Sequence, residues 1–379
     1  MLKKPHISIV CTSRNDNHGE SLNYRTQIFL DCLAIQCIKH QIYAELLFIE
    51  WNPPANRSKL IEVLKWPKSE YLEIRIIEVP EDIHNRYHHS NKIALYQMKA
   101  KNVGIRRARG DYVLSTNIDI IFSDSIFKSI KNNLAEDIIY TAIRYDIPHK
   151  FPNIPNSEKQ RYAKNNIIRI HLQNYSLPIR KKDIPYLRLC GKLYCLYRIA
   201  NIELKKFNRN KREYKHQSNF FNRLNKIKKY LALISSVNNF FTELINPKNP
   251  HTNACGDFTL CSKEVWLKLG GYAEWDLQSW HLDSLFIYQG KNSGYKTEII
   301  KGPIYHIEHS AGSGFTPEYQ EILFNRFREN KISFLSNEDL ANLVQNQKKT
   351  KSTVYNDNLW GLKKDNLMEI NPINEEILK

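Results

Sequence analysis

The chain has 379 residues, 42% of them hydrophobic, with 56 Lys and Arg against 39 Asp and Glu. That is enough apolar sequence for a real core, which excludes global disorder, and enough length for one large α/β domain or two ordinary ones. Its seven cysteines, odd in number and without a CxxC pair, argue against a disulfide framework or a zinc ribbon and for a reducing compartment.

The start of the chain reads as a strand. Met1-Leu2-Lys3-Lys4 leads at once into Pro5-His6-Ile7-Ser8-Ile9-Val10, too short for a secretory core. No run of about 18 apolar residues follows anywhere, so the expectation is a cytoplasmic protein without a spanning helix. Strand and helix signals then alternate. Strands are predicted at Ile7–Cys11, Ala44–Glu50, Leu72–Val79 and Tyr112–Thr116; helices at Tyr24–His40, Ser58–Leu64 and Lys92–Arg109. Such alternation implies a parallel sheet with helices on both faces, and sites of such sheets lie beyond the carboxyl ends of the strands. Thr12-Ser13-Arg14-Asn15-Asp16, Glu50-Trp51-Asn52 and Asn117-Ile118-Asp119 all stand at such ends.

Asn117 and Asp119 are acceptor groups two residues apart. On a strand end they project the same way, and hard oxygen donors so placed suit Mn²⁺ or Mg²⁺ bridging a diphosphate. The same spacing also arises in a strand that ends in an Asx-turn.

Between the sheet segments the charge changes. Residues 151–250 hold 21 Lys and Arg and 5 Asp and Glu, so nearly all of the net +17 lies there. Phe220, Leu224, Ile227, Leu231, Ile234, Val237, Phe241 and Leu244 recur at three and four residues within it, flanked by Lys226, Lys228 and Lys229. This pattern predicts either a helix packed on the domain or one lying on an anionic membrane surface. Order returns at 251. A helix is predicted at Ser262–Leu269, another near Leu282–Asn292, a strand near Thr297–Tyr305, and a polar, part-extended tail from about 345. The division expected is 1–146, a basic helical insertion 147–250, then 251–345 and a tail 346–379.

Several stretches together resemble the GT-A glycosyltransferases, in particular the family 2-like nucleotide-sugar enzymes. Lys101-Asn102-Val103-Gly104-Ile105 through Ala108-Arg109-Gly110-Asp111-Tyr112 resembles their approach to the DxD motif, and Asn117-Ile118-Asp119 stands where DxD stands. Gly256-Asp257-Phe258 through Gly270-Gly271-Tyr272 resembles their acceptor-side segment. Trp280-His281-Leu282-Asp283, followed by Gly294-Tyr295, matches the spacing of their "ED" and "GY" motifs. Ile304-Tyr305-His306-Ile307-Glu308-His309 resembles the late strand end that supplies a metal-binding histidine. Arg14 to Gly19, with Glu50 to Pro54, looks like a bacterial subgroup. The order of these motifs covers residues 7–146 and 251–318.

The resemblance implies a Rossmann-like, mostly parallel central sheet flanked by helices, carrying the basic insertion. It implies a nucleotide-sugar donor touched by Thr12, Ser13, Arg14, Asp16, Glu50, Asn102, Asn117 and Asp119. The metal shell would be Asp119, Asn117 and His306, with His309 as the alternate. Asp257, Trp280 and His281 would face a glycan or lipid-linked acceptor. An inverting transfer needs one general base, and Asp283 is the candidate, its alternative role being a helix N-cap. The chain departs from the pattern at Asn117, in place of the first DxD carboxylate, and at Leu282, in place of the "ED" glutamate. Three rival readings remain at this stage, one of them a protein of the same fold that has lost activity, motivated by Asn117 and Leu282. A nucleotidyltransferase would be expected to carry a glycine-rich loop near the first strand, and Thr12-Ser13-Arg14-Asn15 has none. A nucleic-acid-binding protein would use the basic segment.

Overall fold

A computed structural model of the chain describes residues 4–173, 175–213, 249–309, 317–350, 353–373 and 376–378. They fall into two compact units, Met1–Ser176 with His251–Lys379, and Leu177–Pro250. The apolar face predicted from Phe220 to Leu244, and Lys226, Lys228 and Lys229, lie outside the described residues.

In the first unit the sheet begins as an α/β pattern demands. Strands β1 (Ile7–Ser13), β2 (Ala44–Trp51), β3 (Leu72–Val79) and β4 (Tyr112–Thr116) lie side by side in the order β3-β2-β1-β4, all parallel. β1 and β2 are buried at every residue, as expected for strands covered on both faces. Alternate side chains serve opposite layers. Ile7, Ile9 and Cys11 meet helix α1 (Leu22–His40), while Val10 faces α4 (Gln97–Arg107); two single-turn helices, α2 (Leu60–Val63) and α3 (Glu81–His84), lie between.

Beyond β4 the sheet is mixed. β5 (Ile120–Phe122), α5 (Asp124–Asn132), β6 (Ile138–Ile147), α6 (Asn156–Asn165), β7 (Arg169–Leu172) and β8 (Tyr175–Pro178) follow in the chain. After the second unit come β9 (Phe258–Ser262), α8 (Lys263–Leu269), α9 (Leu282–Asn292) and β10 (Lys296–Ile307). β9 inserts antiparallel between β4 and β6, β6 pairs parallel with β10, and β10 pairs antiparallel with β5. β1, β4, β6 and β10 therefore end on one edge of the sheet, and β5 and β9 begin there. This directional bookkeeping brings residues far apart in sequence to one place. α8 and α9 seal the face shared with α4, where Trp266 stacks on Phe286 with ring centroids 4.1 Å apart.

The C-terminal residues differ from the extended polar tail expected from 346. Helix α10 (Pro317–Glu329) is followed by α11 (Asn337–Thr350), which crosses that boundary, and the segment after it is packed. Trp360 is buried, with the Arg106 guanidinium 4.7 Å from its ring centre. Asn356 Nδ2 donates to the carbonyls of Gly270 and Tyr272. β11 (Glu369–Asn371) adds antiparallel to the outer edge of β3, and β12 (Glu376–Leu378) to β11. Its polar residues satisfy backbone groups of the body, which is why hydropathy alone reads them as tail.

The second unit contains α7 (Ile184–Glu213), which bends at Cys190, where φ is −142° and ψ 49°. The insertion expected from 147 starts later as a compact unit, since α6, β7 and β8 up to Ser176 belong to the first unit. No helix among the described residues is long and apolar enough to cross a membrane.

Candidate active site and metal centre

The shared strand edge carries a cavity of about 700 Å³. β1 and its following loop supply Thr12, Ser13, Arg14, Asp16 and His18. α1 supplies Arg25, the β4–β5 turn Asn117 and Asp119, and Gln97, Ser279 and His309 complete that wall; Arg326 and Lys92 stand at other points of the lining. Four of its side chains are thus basic, Arg14, Arg25, Lys92 and Arg326, and two acidic, Asp16 and Asp119. The balance favours an anionic occupant.

Asp119 is the centre of the charge arrangement. It stands one residue before β5, whose Ile120 lies opposite His306, and Ile307 N–H donates to the Asp119 carbonyl at 3.0 Å. The ladder thus sets Asp119 beside the end of β10. Asp119 Oδ2 lies 3.8 Å from His306 Nε2, 3.2 Å from His309 Nε2 and 2.7 Å from Arg25 Nη1. Burial alone would raise this carboxyl; the neighbouring imidazoles and the Arg25 guanidinium outweigh it and hold the group well below the usual carboxylate range. Arg25 is itself buried in α1, with Nη2 on the His18 carbonyl at 2.5 Å. Gly19 beside it has φ 69°, a left-handed turn, and a Cβ there would strike the His309 ring.

Asp119, His306 and His309 offer ligand atoms within 4.8 Å of one another, close enough that the three could hold a metal ion. Two features of the triad fit a cation. Asp119 Oδ1 and His309 Nδ1 are both buried without a hydrogen-bond partner. A set of two imidazoles and one carboxylate also suits Mn²⁺ better than Mg²⁺, which prefers oxygen throughout.

Behind the triad lies a buried polar network. β6 and β10 pair His306 directly with Asp146. Asp146 Oδ1 accepts from His306 Nδ1 at 3.2 Å, so the other ring nitrogen faces Asp119. Asp146 Oδ2 receives His171 Nε2 at 2.7 Å from β7. Burial opposes ionisation of Asp146, but His171, His306 and Arg144 hold its carboxyl far below the ordinary range. Arg144 links onward to Asp257 Oδ2 at 2.8 Å.

The residues picked out by sequence are not all in one place. Thr12, Ser13, Arg14, Asp16, Asn117 and Asp119 line the cavity. Asn117 is not turned toward the Asp119–His306–His309 group. Its Nδ2 donates to Asp257 Oδ1 at 2.6 Å and its Oδ1 accepts from Gln97 Nε2 at 2.9 Å. Both oxygens of Asp257 are engaged, by Asn117 and Arg144, and it is buried beneath the cavity wall. Glu50 is also buried and accepts from Leu60 N–H at 2.8 Å. Asn102 is wholly buried in α4, donating to the Tyr272 carbonyl at 2.8 Å and to Glu274 at 2.9 Å. Trp280 packs edge-on against Phe324, and His281, in a left-handed conformation, is the N-cap of α9. Asp283 therefore lies in the first turn of that helix and not at the cap. It is half-buried, and a Cβ on Gly256 would come within 2.6 Å of its Oδ2. Lys101, buried below, donates from Nζ to the Gly256 carbonyl at 2.7 Å.

Sequence reading missed Arg25, Asp146, His171 and Arg144. The last three had a weak signal, polar residues on alternate positions of an apolar strand (Arg144, Asp146) and a nearby His. Arg25 had none, being one cation in the first turn of a helix.

No protein-family model matches the chain, and no curated protein does. Among solved structures, the crystal structure of S. aureus TarS 1-349 is similar at a TM-score of 0.35 and 12% identity, over 89% of this chain and 69% of that one.

Proposed function

We propose that the protein is a metal-dependent glycosyltransferase that moves a sugar from a nucleotide-sugar donor to a glycan or lipid-linked acceptor. The observation that carries this reading is the Asp119–His306–His309 triad in and beside a cation-rimmed cavity at the strand ends. A nucleoside diphosphate is the anion that such a site suits, with Arg14 and Arg326 toward its phosphates and Ser13 and Thr12 on the same wall. A divalent cation held by the triad would offset the charge that grows on the departing diphosphate.

The chain's own residues divide the remaining work. Arg25 pairs with Asp119 Oδ2, while Oδ1 is buried without a hydrogen-bond partner. Asp146 holds the His306 ring in one tautomer. Asp283 is the carboxylate we assign as general base, taking the proton of the acceptor hydroxyl as that oxygen attacks the anomeric carbon opposite the leaving diphosphate.

The test is a Mn²⁺ titration by calorimetry, followed by thermal shift with UDP-, GDP-, CDP- and dTDP-sugars with and without Mn²⁺. A donor at 100 times its Kd stabilises by roughly 2.7 kcal/mol, so the matching sugar nucleotide should raise Tm only when Mn²⁺ is present. His309→Gln should abolish Mn²⁺ binding. It is a better probe than Asp119→Ala, which would strand the buried Arg25 charge at a cost of about 3–5 kcal/mol. Asp146→Asn, outside the triad, should weaken Mn²⁺ about 10–100-fold. Wild-type protein that binds neither Mn²⁺ nor any sugar nucleotide would end this reading.

A further inference from the structure

Helix α7 of the second unit has two apolar faces, and only one of them is buried. Ile184, Leu187, Tyr194, Cys195 and Ile199 are buried on one side. On the other, Tyr186, Leu189, Leu193 and Tyr197 are 61%, 87%, 68% and 65% exposed. Tyr186 and Leu189 stand three residues apart before the bend at Cys190, and Leu193 and Tyr197 four residues apart after it, so each half of the helix carries an exposed apolar pair. Scattered exposed apolar residues are ordinary, but four large ones between 186 and 197 mark a contact surface.

The charges around this surface say what it contacts. Arg180, Lys181, Lys182 and Arg188 are exposed on and just before the helix. Asp183 is the one acidic residue from 177 to 202, and it is buried and paired with Arg180 at 2.9 Å and Arg198 at 3.2 Å. The sequence from 177 to 250 carries 17 Lys and Arg against four Asp and Glu. A partner must therefore offer apolar surface with negative charge close beside it. A protein interface core excludes lysine, and a nucleic-acid surface gives exposed leucines nothing to bury in. An anionic lipid surface offers both, acyl chains for leucine, the headgroup level for tyrosine, and phosphate for lysine and arginine.

We propose that α7 is an interfacial helix, and that its Tyr186, Leu189, Leu193 and Tyr197 side chains seat the protein on an anionic bilayer surface. The contact requires no spanning segment and is reversible. It does not rest on the sugar-transfer reading, since the surface is complete without nucleotide, metal or acceptor.

The test is sedimentation of the full chain with vesicles of equimolar phosphatidylglycerol and phosphatidylcholine, and with phosphatidylcholine alone. Wild type should pellet with the first and not the second, and added salt should release it. Leu189→Ser with Leu193→Ser should lower partition by about tenfold or more, although no charge changes. Lys181→Glu with Lys182→Glu should lower it at least as far, each basic residue at an anionic surface being worth about fivefold. Far-UV circular dichroism and Mn²⁺ affinity should be unchanged in both variants, since the replaced residues are exposed and outside the cavity. Failure of the wild type to pellet at low salt would overturn the proposal. So would full retention of the leucine variant, which would make the attraction purely electrostatic. A dimer in sedimentation velocity that the leucine variant dissolves would assign the surface to a second copy of the chain instead.

Discussion

Glu50 shows how much one side chain at the strand edge contributes to stability. It stands at the end of β2 opposite Ser13, and burial lifts its carboxyl to about 7, the Leu60 N–H opposing and the Glu78 charge adding to the shift. Below the ordinary value of 4.5 the group is protonated whether the chain is folded or not. Between there and about 7 only the folded protein holds the proton. Its contribution therefore falls as pH rises through that window, and the loss is complete above it. Glu50→Gln keeps the acceptor for Leu60 and removes the titration. It should match wild type in urea denaturation at about pH 4 and exceed it by about 2–3 kcal/mol at about pH 8. Equal stability of the two proteins at the higher pH would show that Glu50 is solvated.

Asp119 stands out in the sequence at this same scale by its spacing from Asn117. On a continuous strand that spacing would put both side chains on one side. β4 ends at Thr116, and the two residues lie in the turn before β5, where the alternation of a strand no longer holds. Asn117 accordingly faces Gln97 and Asp257, and its place beside Asp119 is taken by two histidines nearly 190 positions later. Asp146 was silent because its role depends on β6 lying against β10, a pairing no local pattern announces.

At the scale of elements, the parallel half of the sheet was readable, whereas in the mixed half only β10 was, as the strand near Thr297–Tyr305. β1 to β4 are long apolar runs bounded by turn residues, so their ends were found to within two residues. β5 is three residues long, and β9 enters the sheet antiparallel from a chain segment more than 100 residues downstream. The segment after α11 is the clearest loss. Its composition is polar, yet it closes the face over α4 by one tryptophan and a set of backbone hydrogen bonds. Glu274 Oε1 receives both Asn102 Nδ2 and Gly361 N–H at 2.9 Å, which ties this segment to α4. Trp360→Ala should cost about 3–5 kcal/mol in chemical denaturation, the range for a large buried aromatic. A loss under 1 kcal/mol would mean that the segment rests on the body without stabilising it.

The whole molecule is a sheet-built body with a basic unit inserted through neighbouring points. His251 Nδ1 meets Gln173 Oε1 at 2.9 Å, Thr252 N–H donates to the same oxygen at 3.2 Å, and Asn253 Nδ2 reaches the Leu172 carbonyl at 2.6 Å. The chain therefore leaves the first unit and re-enters it at almost the same spot, the geometry that tolerates insertion and removal of a domain. Replacing residues 179–249 with a short Gly/Ser linker should leave a chain that melts cooperatively and binds Mn²⁺ as the full protein does. It should lose vesicle binding. A deletion that melts without cooperativity would make the basic unit part of the folding core.

The addition of β11 to β3 has a consequence for how the protein is made. Arg75 on β3 is shared between Glu45 at 2.8 Å and Glu369 at 3.0 Å, and the second partner lies 294 residues further along the chain. At 5–20 residues per second a ribosome needs about 15–60 s to cover that distance. Throughout that interval the nascent sheet presents β3 with one row of backbone donors and acceptors open, the arrangement that invites pairing with another chain. The period of greatest exposure to misassembly is thus set by the clock of translation, and it closes no earlier than the emergence of residue 369.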